Sequence, residues 1–343
     1  MKLIVDRIIP HREIMHYASG PFSISSHNNR VYIDNGTGEA RITLPGQSWG
    51  KILGMSRLAR RALRLDKCNI VPIGDNLIIV RQGRVYHYNR DRQQLDETLE
   101  LRQCRNVLHQ SITVTDSGNV FFGEYGRNPQ RIPVPIYRSS DGGATWKVAY
   151  EFPAAKARHV HGCYWDPYEK KIWSLTGDFE DECHILVTDE DFNEIEWIGD
   201  GGQVYRACNV FFEKDAVHWV MDSQLEPSHH IRLDRDTRRI SRLAEFPGPV
   251  WYIKRLTDGY YLAATAQEIG PGVRDEYTHL LVSRDLESWE SIRQFEHDGL
   301  PKRFFKFGVI GFADGEQSSD GFYLFAEAIK GLDGKVALCR LET

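Results

Sequence analysis

Residues Ser139-Ser140-Asp141-Gly142-Gly143-Ala144-Thr145-Trp146 fit the spacing S-x-D-x-G-x-T-W and directly follow Pro135-Ile136-Tyr137-Arg138, a run of strand character. In such a run the Asp, Ser and Thr side chains tie down the backbone of a tight hairpin. Gly takes a turn conformation closed to other residues, and Trp buries the hairpin against its sheet. The motif therefore constrains architecture first. It predicts a short-strand, hairpin-rich, all-β chain.

Turn-forming clusters recur at Ser26-His27-Asn28-Asn29, Gly74-Asp75-Asn76, Asp116-Ser117-Gly118-Asn119, Asp166-Pro167-Tyr168-Glu169, Glu213-Lys214-Asp215, Thr257-Asp258-Gly259 and Ser318-Ser319-Asp320-Gly321. They lie roughly 40 to 60 residues apart, the repeat length of a four-stranded propeller blade. Seven clusters predict a β-propeller of seven blades, with six blades and an irregular first repeat as the alternative. After the seventh turn the chain offers only Phe322-Tyr323-Leu324-Phe325 and Val336 to Leu341, one strand short of a blade. Leu3-Ile4-Val5 through Ile8-Ile9 would supply that strand and join the two chain ends in one sheet.

Composition fits one all-β domain over residues 1–343. The chain is 41% hydrophobic and 11% aromatic, enough for a large core. A formal charge of -5 removes any general pull toward nucleic acid or anionic membrane. No segment has the roughly 20 apolar residues of a membrane span, and the charged, short N-terminal run is not a secretory signal. Six scattered cysteines without a close pair read as small buried hydrophobes in a reducing, cytoplasmic setting. Lys51 to Arg64, by contrast, is a basic, helix-like insertion near residues 50–64. It is readable as a cationic lid or as a solvated insertion between blades.

The Ser139–Trp146 run resembles the Asp-box, or BNR repeat, of the sialidase-like superfamily. Two worn copies follow, Ile185 to Thr188 with Trp197, and Leu280 to Asp285 with Trp289. The resemblance implies a β-propeller from a group rich in glycan-active enzymes that also holds non-catalytic binders. It assigns Asp141 to structure, since that family's box lies on an outer hairpin away from the active site. Arg131-Ile132-Pro133 copies the sialidase R-I-P triplet but sits in the connection just ahead of the box, so the family's carboxylate-binding arginine is not carried over.

In a propeller, the starts of innermost strands and the ends of the strands that follow converge on a central funnel. Those points here carry His109, His159-Val160-His161, Tyr205-Arg206, Trp251 and Lys306, then Glu124-Tyr125, Asp178, Asp222, Glu268 and Glu327. Side chains that titrate, where a strand would ordinarily present Val or Ile, mark a polar pocket. His109 and His161 read as acid/base groups, either of which could instead hold a divalent metal; no other cofactor is expected. Glu124, Asp178 and Asp222 are candidate hydrolytic carboxylates, with Tyr205 a further proton donor or nucleophile. Arg158, Arg206, Tyr125, Trp251, Glu268 and Lys306 are candidate substrate contacts, through ion pairing or stacking.

The resulting expectation is a glycan-cleaving enzyme acting on an acidic or polar carbohydrate, as a glycoside hydrolase in preference to a uronate lyase. The alternative is a propeller that binds glycan or protein without turnover, within a polysaccharide system.

Overall fold

The computed structural model describes residues 1–46 and 53–342. The protein is all-β, a seven-bladed β-propeller built from seven four-stranded antiparallel sheets. The first blade comprises Ile14–Ser19, Phe22–His27, Arg30–Asp34 and Glu39–Thr43. Five similar meanders follow, and the seventh sheet combines Val309–Phe312, Phe322–Glu327 and Lys335–Glu342 with the N-terminal strand Lys2–Ile9. That strand pairs antiparallel with Lys335–Glu342, from Lys2 opposite Glu342 to Ile9 opposite Val336. The outer edge of the last blade is thus covered by the other end of the chain.

One repeat is displaced from its sequence reading. In the first blade, Ser26-His27-Asn28-Asn29 joins the second strand to the third, whereas the six later clusters join the first strand to the second. The equivalent first-blade turn is Gly20-Pro21, where Gly20 takes φ +53°. Gly-Pro is itself a turn former, so the denser polar cluster one hairpin later drew the reading away.

The chain forms two compact units. One contains Met1–Lys67 and Pro247–Thr343, with blades one, six and seven; the other contains Cys68–Phe246, with blades two to five. Between their sheets both units pack apolar cores. In the second, Trp173, Leu175, Trp219, Ile231 and Leu233 are buried together; in the first, Leu262, Leu280, Ile310, Phe312 and Phe322 are. Burying a side chain of this size stabilises by about 1.5–3 kcal/mol, so these clusters set the blade spacing. All six cysteines are free and buried.

The Ser139–Trp146 turn forms as its residue types dictate. Thr145 donates from its backbone N to Asp141 Oδ1 at 2.9 Å and from Oγ1 to Oδ2 at 2.6 Å, and Gly143 N donates to Ser139 Oγ at 2.8 Å. Gly142 and Gly143 sit at φ +72° and +95°, where a β-carbon is strained. Trp146 packs edge-on against Phe122. Asp285 repeats part of this pattern, accepting from Glu287 N and Ser288 N.

The basic stretch is helical and lies between the first and second blades, as one reading had it, but its arginines are not solvated. Residues 50–52 lie outside the described residues. From there, Ser56 caps a helix over Arg57–Leu63 whose arginines point inward. Arg57 donates to Glu13, Asp66 and Asp333, and Arg60 donates twice to Glu13, at 2.9 and 2.8 Å. Arg61 is 1% exposed and is paired with Asp298. Leu58 and Leu63 face outward instead. Buried carboxylates, not solvent, neutralise this helix.

Candidate functional site

A polar cluster forms within the Cys68–Phe246 unit, at the start of the first strand of the fourth blade, His159–Asp166. A β-bulge falls at His161: His159 pairs with Gly177 and Val160 with Thr176, but the next partner pair is Gly162 with Leu175. Bulges re-aim a side chain, and similar register shifts fall at His16 and Trp251 in two other first strands. Gly177, opposite, has no side chain for a physical reason. A β-carbon there would lie 2.5 Å from His161 Cε1 and 2.9 Å from its Nε2.

Asp178, next along, is the hub. Its Oδ1 lies 3.2 Å from His159 Nε2 and 3.1 Å from His161 Nε2, and the two Nε2 atoms are 3.1 Å apart. Each imidazole is held from behind. His159 Nδ1 lies 2.7 Å from the Gly126 carbonyl, and His161 Nδ1 lies 2.8 Å from the Ala207 carbonyl. A carbonyl only accepts, so both Nδ1 atoms carry a proton, and both Nε2 atoms turn toward Asp178.

Two guanidiniums complete the shell. Arg158 donates to Asp178 Oδ2 at 2.5 Å. Arg206 donates to the Asp178 carbonyl at 3.1 Å and to Gln224 Oε1 at 2.7 Å, and it lies 3.4 Å from both Asp178 Oδ1 and Asp222 Oδ2. Burial would raise the Asp178 carboxyl, but the hydrogen bonds and charges around it hold it well below the usual carboxylate range. Burial also lowers His159, only partly offset by Asp178, and so favours the neutral ring. Asp222 is raised by burial, against the pull of Arg206. Beneath it the Cys208 thiol, likewise pushed up by burial and then by Asp222, donates to Asp222 Oδ2 at 3.2 Å.

Of the residues singled out in sequence, His161, Asp178, Arg158, Arg206, Asp222 and Tyr125 meet here. The Tyr125 ring lies 4.2 Å from the His159 ring and is half-buried. Others are placed elsewhere. Glu124 accepts from the backbone N of Arg102 at 2.7 Å and of Gln103 at 2.6 Å, and from Tyr137 Oη at 2.8 Å, so its carboxylate organises a loop. The Tyr205 ring packs over Gly199, where a β-carbon would fall 2.4 Å from Cγ, and near Trp219. His109 is buried in the turn ahead of Thr113–Val114.

Trp251, Glu268 and Lys306 belong to the other compact unit. There Trp251 Nε1 donates to Glu268 Oε1 at 2.9 Å, and buried Lys306 donates to Glu327 at 3.0 Å and to Asp66 at 3.3 Å. The same unit holds a hollow of about 510 Å³ lined by His27, Asn29, Arg30 and Arg60, and Arg60 is already bound to Glu13.

His159 was the residue to find. It shares a strand face with His161 two positions on, and that period-2 spacing was the available signal. Gln203 and Gln224, which fix Asp178 and Arg206, carried none.

No protein-family model matches the chain, and no curated protein matches it in sequence. Solved structures match its fold. The extracellular domain of a protein described as a one component system from B. thetaiotaomicron is 13% identical with a TM-score of 0.57, covering 97% of this chain and 38% of that one. The tricorn protease is 12% identical with a TM-score of 0.54, covering 98% of this chain and 36% of that one. This chain therefore spans less than two-fifths of the length of either. At such identities the likeness is one of fold alone. Among the described residues, no helix is long and apolar enough to cross a membrane.

Proposed function

We propose that the protein is a carbohydrate-active enzyme acting on an acidic sugar at the Asp178 cluster, by elimination across a uronate in preference to hydrolysis. One observation carries the reading. Two guanidiniums, Arg158 and Arg206, face a single ionised carboxylate while Asp222 is pushed toward its neutral form, which leaves the cluster net positive beside a half-buried tyrosine. A site with surplus positive charge and restricted water favours an anion. Membership of the Asp-box propellers belongs to the same proposal, supported by the Ser139–Trp146 turn.

Arg206 is 4% exposed and donates to the Asp178 carbonyl and to Gln224, so Arg158 is the cation that pairs with the substrate carboxylate. Tyr125 is the proton-transfer group. In elimination, the base takes the proton alpha to the carboxylate, and that electron pair forms the new carbon–carbon double bond. The bond to the leaving glycosidic oxygen breaks, and the oxygen takes up a proton. Hydrolysis would need two accessible carboxylates. Here Glu124 is tied to its own loop and Asp222 is 3% exposed, which supports elimination.

A panel of polyuronates, followed by ultraviolet absorbance of the conjugated unsaturated product, tests this. The expected result is absorbance that grows with the wild type and falls at least tenfold with Tyr125→Phe, while Arg158→Gln acts mainly through KM. New reducing ends without that absorbance would mean hydrolysis. Intact sugar bound without product would mean a binding propeller, a role that the burial of His159 and His161 would suit. Neither binding nor turnover of any acidic sugar would sink the reading.

A further inference from the structure

We infer that His159, His161 and Asp178 form a binding site for one divalent first-row transition ion. The three ligand atoms, His159 Nε2, His161 Nε2 and Asp178 Oδ1, stand 3.1, 3.1 and 3.2 Å apart, close to an equilateral triangle. An ion bonded to all three at about 2.1 Å would sit about 1.1 Å out of their plane, with ligand angles of about 95°. Such angles suit one face of a six-coordinate ion. Two imidazoles and a carboxylate on one face leave the remaining positions open to water or substrate.

The tautomers point the same way. Both Nδ1 atoms are committed to carbonyls, Gly126 and Ala207, so each ring, when neutral, offers its Nε2 electron pair beside Asp178 Oδ1. A metal ion bonded to all three atoms would satisfy them together. Backbone carbonyls behind metal-binding imidazoles are the usual outer support of such sites. The nitrogen-rich set selects a borderline ion such as zinc, cobalt or ferrous iron over calcium or magnesium.

A neighbouring trio, His161, Cys208 and Asp222, is also close enough to hold an ion. It lacks the same claim, because His161 Nδ1 donates to Ala207 and the Cys208 thiol donates to Asp222.

The site does not depend on the proposed reaction, since metal loading is read with no sugar present. Protein stripped by a chelator and then titrated with zinc, manganese or cobalt should take up one ion per chain, counted by elemental analysis and calorimetry. Bound cobalt should add visible absorption bands. Asp178→Asn and His161→Gln should each lose the ion and the bands, whereas Cys208→Ser should keep both. Should His161→Gln misfold by near-ultraviolet circular dichroism, Asp178→Asn decides. Absence of stoichiometric uptake by the wild type, retention by Asp178→Asn, or loss in Cys208→Ser would overturn the assignment.

Discussion

Replacing Glu13 by Gln removes a buried carboxylate that two helix arginines, Arg57 and Arg60, share inside the first compact unit. Glu13 is 3% exposed and accepts from Arg57 Nη1, from Arg60 Nε and Nη2, and from Asn28 N, all within 2.8 to 2.9 Å. Arg57 retains Asp66 and Asp333 after the change. Arg60 keeps the Gly54 and Met55 carbonyls as its named partners, so the uncompensated charge falls on it. Breaking a buried pair from one side costs about 3–5 kcal/mol, and the retained amide acceptor sets the expectation near the lower figure, about 3 kcal/mol.

At about 2.1 cal/mol/K per residue, that loss lowers the melting midpoint by about 4 °C if all 343 residues unfold together. It lowers it by about twice as much if the unit holding Glu13, just under half the chain, melts alone. Differential scanning calorimetry reads both the shift and whether one transition or two carries it. The double variant Glu13→Gln, Arg60→Met should recover most of the loss, because a pair removed from both sides leaves no orphaned charge. A single-variant shift under about 1 °C, or a double variant worse than the sum of its parts, would refute the inward-facing helix.

Asp141→Ala should cost about 1–2 kcal/mol in urea unfolding, through the loss of the turn bonds to Thr145 and Ser139, with no change in ligand or metal binding; loss of metal uptake there would contradict its placement outside the site. His218 and His230, whose ring nitrogens lie 3.0 Å apart, are lowered by burial to about 4 and about 3. The unfolded imidazoles take up protons below about pH 6.5 and the folded ones do not, so stability should fall as pH drops from about 6.5 toward 4, on the order of 3 kcal/mol for His218 alone. His230→Gln should flatten that slope, and an unchanged slope would discard this pair as its source. Gly177→Ala should push His161 off its position and abolish metal uptake while leaving the melting transition cooperative; full uptake would show that the triangle tolerates the shift. The six buried thiols should resist a thiol reagent in the native protein and react fully after denaturation. Fast labelling of any one under native conditions would disprove its burial.

What could be read without coordinates was whatever the chain encodes locally and repeatedly. The Ser139–Trp146 turn is legible because each of its bonds joins residues four or fewer apart. The seven blades are legible because their turns recur, and a last repeat one strand short of a blade pointed to Leu3–Ile9 by counting strands. The first-blade turn slipped because a polar cluster outweighed Gly20-Pro21. The basic helix was misjudged for a deeper reason: a charge run faces solvent unless carboxylates remote in sequence meet it, and Glu13, Asp298 and Asp333 lie up to 276 positions from Arg57.

The cluster at Asp178 marks the same boundary. Strand-end logic alone picked out His161, Asp178, Arg158 and Arg206, because alternation along a strand says which residues share a face. It could not separate Glu124, whose partners Arg102 and Gln103 are fixed by a loop, from Asp178, whose partners are imidazoles and guanidiniums. Nor could it show that a bulge at His161 and the bare Gly177 bring two ring nitrogens to 3.1 Å. Residue type and order determine which groups are available for chemistry. Distances of a few tenths of an ångström, which decide whether those groups bind a proton, an ion or one another, arise only when separate strands pack.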